Sequence, residues 1–90
     1  MFRYKRGVKV RYNRQGYIYF TSLLYRELPQ EKRIIIDELC KKCGGDYEQA
    51  LKRYVTTNAS VTQITMENYI SKSQLYRVVK KYYEAFPEWL

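Results

Sequence analysis

Lys72, Ser73, Tyr76, Arg77, Lys80 and Lys81 fall within one ten-residue stretch that holds no acid. Their chemistry is anion recognition rather than bond-making. Arg and Lys hold phosphates or read guanine edges, and Ser and Tyr hydroxyls donate to phosphate oxygens. A second basic set opens the chain: Arg3, Lys5, Arg6, Lys9, Arg11 and Arg14 all precede residue 16, again without an acid. A third spacing with chemical meaning is Cys40-x-x-Cys43. Zinc wants four ligands, and with no further Cys and no His it could be held only by a site shared between two copies. A thioredoxin-like role wants strand–helix–strand surroundings, whereas the pattern around these thiols is helical. The expected reading is two small core residues in a reducing compartment, with no metal and no cofactor.

The composition narrows the classes further. With 90 residues the chain builds one small domain, and 46% hydrophobic residues suffice for a core. The absence of His excludes serine–histidine triads and imidazole acid–base chemistry. Asp37 and Glu38 are adjacent, so on a helix their carboxyls point to different faces. No nucleophile or acid–base constellation emerges, and the expectation is a binding module, not an enzyme. No apolar run reaches bilayer length, and no signal-peptide stretch follows the basic N-terminus, so a cytoplasmic location without a membrane partner is expected. The net charge is +8, of which +6 comes from residues 1–15. Positive charge concentrated in this way suits a polyanion.

These residues need elements to position them. Residues 6–20 admit two readings. Val8, Val10 and Tyr12 alternate as in a strand, and Asn13 to Gly16 could turn into a returning strand at Tyr17. A helix from about Gly16 to Leu28 would instead place Phe20, Leu24 and Leu28 on one face. The favoured arrangement is a helix from Tyr17, preceded by a basic arm over residues 1–15, extended or in a short hairpin. The helical domain then covers 16–90. Pro29 suits the first residue of the next helix, with Ile34, Ile35, Leu39 and Cys43 facing inward and Gly44-Gly45 as its stop. Asp46 with Gln49 marks a third start, followed by Tyr47, Ala50, Leu51, Tyr54 and Val55 on one face and ended by Thr56-Thr57-Asn58. Ser60 with Gln63 opens a short helix to about Asn68. Ser71 with Gln74 opens the last helix, whose buried stripe is Leu75, Val78, Val79, Tyr82 and Phe86, closed by Pro87. The fold class is mainly α: a compact bundle of four to five helices.

A short helix, a brief turn and a longer basic helix over about 60–86 have the layout of a helix-turn-helix. Ile64, Ile70, Leu75 and Val78 supply the apolar contact between the two helices. The string Ile70-Ser71-Lys72-Ser73-Gln74-Leu75-Tyr76-Arg77 resembles the turn and recognition helix of TetR-type regulators. The resemblance implies that Ser71 caps the recognition helix, Leu75 anchors it in the core and Tyr76 bonds a backbone phosphate. It also implies that Lys72, Ser73 and Arg77 lie nearest the bases or adjacent phosphates, with Ala50, Leu51 and Tyr54 on a third core-forming helix. It covers about residues 46–81. The chain departs from it at Thr65, at Asn68 and at Tyr69, which replaces the usual turn glycine. A large ligand-binding domain is not expected after it, so the layout is closer to small regulators of phages and mobile elements.

The leading expectation is sequence-specific binding of double-stranded DNA, as in transcriptional regulation. Lys72, Ser73, Tyr76, Arg77, Lys80 and Lys81 would act from the last helix, and Arg3, Lys5 and Arg6 from the arm on phosphates or a minor groove. Two alternatives come from other classes. Eleven tyrosines, several interleaved with Arg near the start, could stack on bases of RNA or a single strand. The helical pair could equally pack against a protein partner. A homodimer is expected if the target is palindromic.

Overall fold

In a computed structural model, described over residues 4–90, five stretches close their backbone hydrogen bonds as α-helices. They are α1 (Tyr12–Leu23), α2 (Gln30–Gly44), α3 (Glu48–Thr56), α4 (Val61–Asn68) and α5 (Lys72–Ala85). Single 3-10 turns at Tyr25–Glu27 and Gly45–Tyr47 flank α2. The described residues contain no strand, so the all-α class holds and the hairpin over residues 8–20 does not form. No helix among them is long and apolar enough to cross a membrane.

The first helix departs most from the sequence reading. It starts at Tyr12 instead of Tyr17, so residues 12–15 belong to the fold and not to an arm. Gly16 inside a helix costs about 1 kcal/mol relative to Ala. Burial of Gln15, Ile18 and Ser22, one turn apart along α1, outweighs that cost. Phe20, expected in the core, is 55% exposed, and Leu24 faces outward too. The helix stops at Leu23, so Leu28 lies beyond a 3-10 turn and the supposed stripe is broken.

Helix α2 buries Ile36, Leu39, Cys40 and Cys43, spaced i, i+3, i+4 and i+7. Ile34 is half-exposed, because its position falls away from that line. Pro29 occupies the N-cap, one residue before the position expected of it. Gly45 ends the helix at φ +55°, a conformation that favours glycine, and its N–H bonds the Lys41 carbonyl.

The expected Asp46 cap does not form. The chain turns from α2 into α3 so tightly that residues 45–47 make a 3-10 turn, and Tyr47 becomes the N-cap without a side-chain bond. The packing is close here: a Cβ on Gly44 would stand 3.4 Å from Leu51 Cδ2. Ala50, Leu51 and Val55 are buried as expected, with Tyr47 and Tyr54 at the margin. The hydroxyls of Thr56 and Thr57 return to the Lys52 and Arg53 carbonyls and end α3.

One core joins all five helices. α2 packs on α3 and α5, α3 on α1, α4 and α5. Leu51, Ile36, Ile64, Leu75 and Tyr82 lie at its centre, fully buried. Cys40 and Cys43 are free thiols within it, and desolvation pushes the Cys40 thiol up to about 12. Such a thiol stays protonated at neutral pH and packs as a small apolar group.

Candidate nucleic-acid interface

The candidate surface is the outward side of α5, and its position is fixed from both ends and from below. Ser71 is the N-cap with a complete capping box: Gln74 N–H donates to Ser71 Oγ at 3.1 Å, and Ser71 N–H to Gln74 Oε1 at 2.9 Å. The buried stripe is Leu75, Val78, Val79, Tyr82 and Tyr83, with Phe86 just beyond the helix. Sequence reading had all of these except Tyr83. Ser60 caps α4 through its Oγ, but Gln63 turns to Glu67 instead of completing the box.

Residues 69–71 join α4 to α5. Tyr69 adopts φ 54° and ψ 43°, the left-handed region, as the only non-glycine among the described residues at positive φ. A glycine would adopt this conformation without steric cost. For a tyrosine the same geometry costs about 1–2 kcal/mol. Its ring repays none of this inside the protein, being 95% exposed. Ile64 is fully buried and Ile70 partly so, which holds α4 against α5.

Lys72, Ser73, Tyr76, Arg77, Lys80 and Lys81 all project to solvent. Their side chains form no hydrogen bond or ion pair among the described residues. The charges therefore stand unneutralised on one helix. Lys81 lies at the α2 edge of this face, where it and Lys42 act on the Cys43 thiol. Glu84 closes the face at its C-terminal end, accepting the Lys9 backbone N–H at 2.9 Å.

The arm residues divide. Arg3 lies outside the described residues. Lys5 turns inward: its Nζ donates to Tyr54 Oη at 2.7 Å and sits 5.4 Å from the Tyr83 ring centroid. Arg14 likewise turns back, donating to the Pro87 carbonyl at 2.7 Å beneath the Tyr17 and Phe86 rings. Arg6, Lys9 and Arg11 are exposed. The segment is thus laid across α5, with Val8 buried in the core. Residues 5–8 and the α5 residues Tyr76, Arg77, Val79 and Lys80 enclose a groove of about 450 Å³.

Gln15 is the residue that sequence reasoning missed. It is 0% exposed, yet every bond it makes goes to the backbone of the arm. Its Oε1 accepts from Lys5 N–H at 2.8 Å, and its Nε2 donates to the Lys5 and Val10 carbonyls. A polar residue in a basic, polar stretch gives no pattern from which burial follows. No protein-family model, no curated protein and no solved structure matches this chain.

Proposed function

We propose that the protein binds double-stranded DNA through a helix-turn-helix made of α4, residues 69–71 and α5, and that it acts as a small transcriptional regulator of the phage or mobile-element kind. The observation that carries this reading is the outward side of α5. From Lys72 to Lys81 it is acid-free, exposed and unpaired, on a helix locked by a double-bonded cap and a fully buried Leu75. A helix of 14 residues is long enough to lie across a major groove while α4 braces it. Lys72, Ser73 and Arg77 are the base-proximal candidates. Tyr76, Lys80 and Lys81 are phosphate ligands, as the resemblance of residues 70–77 to TetR-type recognition helices implies for Tyr76.

Of the cations first assigned to the arm, Arg6 keeps a role at the interface, whereas Lys5 serves to dock the segment. The docked arm weighs against single-strand or RNA binding through a free Tyr/Arg tail, since Lys5 and Arg14 are turned back onto the fold. Stacking needs exposed aromatic faces, and Tyr4, Tyr12 and Tyr17 are the ones near the start that such a mode would use.

The test is competition binding at fixed salt among duplex DNA, single-stranded DNA and RNA of equal length. Duplex preference is expected, with log affinity falling linearly with log salt. Preference for single strands or RNA would move the function to the alternative class. Weak, salt-insensitive binding to all three would leave a protein partner as the reading.

A further inference from the structure

The groove between residues 5–8 and α5 brings cations from two separate parts of the chain together without an acid. Arg6 stands on one wall, Arg77 and Lys80 on the other, and none of the three has a partner among the described residues. Its lining contains no acid. The neighbouring depression of about 460 Å³, where the segment continues past Lys9 and Arg11, contains both Glu84 and Glu88. The two are alike in size and opposite in what they leave for an anion. The floor of the first is apolar, with Val8 and Val79, and Tyr76 adds a hydroxyl at its edge.

Unpartnered cations around an apolar floor match a sugar–phosphate chain, which offers hydrocarbon on the deoxyribose and charge on each phosphate. The position of Arg6 is not left to a free tail. Gln15 fastens the backbone on both sides of it, at Lys5 and at Val10, and Lys5 is held on Tyr54. The ordering of this segment is met on folding and not at the moment of binding.

We propose that this groove seats the backbone of one DNA strand beside the major groove, with Arg6 and Lys80 holding its phosphates, Arg77 on the same wall left to face the bases, and Gln15 as the positioning residue for Arg6. The inference rests on the duplex-binding reading above. It differs from simple attraction by a basic tail in making location, not charge alone, decide the effect.

The experiment measures duplex affinity of the full chain against salt for Arg6→Ala, Gln15→Leu and Lys32→Ala. Lys32 is exposed on α2 and lines no part of the groove. Arg6→Ala should flatten the log–log salt slope by about 0.9, the value for one lost phosphate contact. Gln15→Leu removes no charge, yet should flatten the slope in the same direction, because Arg6 is no longer held. A purely structural role for Gln15 would change unfolding without changing that slope. Lys32→Ala should match the parent chain. If Arg6→Ala behaves as Lys32→Ala while the parent binds duplex steeply with salt, the groove is overturned and the DNA reading stands. If the parent does not bind duplex, both fall. Should Gln15→Leu fail to fold, Arg6→Ala decides alone, since its side chain has no partner to lose.

Discussion

The hydroxyls of Ser22 on α1 and Tyr82 on α5 lie 2.7 Å apart, sealed from solvent inside the core. This bond ties the first helix to the helix that carries the candidate interface. Removing one partner leaves the other buried and unsatisfied, at about 1–3 kcal/mol, whereas removing both is milder than the sum. Tyr82→Phe and Ser22→Ala should each lower the urea midpoint, and the double variant should fall short of additivity. Strict additivity would mean that the two hydroxyls do not depend on each other.

Truncation tests the docked segment. From sequence the arm over residues 1–15 is separable from the core, but α1 starts at Tyr12, Val8 is buried, and the Gln15 side chain bonds only the backbone of Lys5 and Val10, so the cut tested is residues 1–10. Burying a valine side chain contributes about 1.5–3 kcal/mol. The truncated chain should therefore lose stability of that order as well as DNA affinity. An unchanged thermal midpoint would restore the picture of a detachable tail.

The helical parts of the molecule were legible where local signals agreed. Ser71 with Gln74, and the stripe from Leu75 to Phe86, fixed α5 because cap, periodicity and Pro87 all pointed one way. The start of α1 was not legible, since Gly16 and Asn13 carry turn preferences that tertiary burial of Ile18 and Gln15 overrides. Ile36 was passed over for Ile34 because three consecutive isoleucines blur the helical phase. The candidate interface divided in the same manner. Residues on α5 were readable from a periodic face, whereas the inward turn of Lys5 depends on Tyr54, 49 positions away. No local pattern encodes such a contact.

The ion pair between Lys52 and Asp37, 2.9 Å apart, gives a dependence on pH. Burial works against the Asp37 charge, but bonds from Lys52 and Tyr25 prevail and hold its carboxyl below the ordinary 3.8. The bond to Asp37 holds the Lys52 ammonium above the ordinary 10.5. A lowered carboxyl contributes stability present above 3.8 and lost as pH falls through its folded value. A raised ammonium contributes stability present below 10.5 and lost as pH rises through its folded value. Both side chains are over a third exposed, so screening limits the pair to about 0.2–1 kcal/mol. Asp37→Asn should lose that amount across neutral pH, and its denaturation midpoints should converge with the parent's below 3.8. A constant gap at every pH would assign the effect to packing.

Recognition by α5 makes the sharpest demand on single residues. Arg77 and Ser73 stand one turn apart on the outward side, and Lys72 opens the first turn nearest the turn at Tyr69. Arg77→Ala should cost about 1–3 kcal/mol of binding if the guanidinium reads a base pair, and should relax preference at one position. Lys80→Ala and Lys81→Ala should weaken binding evenly across sequences, as phosphate contacts do. Leu75→Ala is the contrast. Its side chain is fully buried, so it should lose about 2–5 kcal/mol of folding stability through a cavity, and lose binding only as the fold is lost. The measurement is a binding profile over a randomised duplex pool for each folded variant. If Arg77→Ala and Lys72→Ala keep both the affinity and the base preference of the parent, α5 is not the helix that reads DNA.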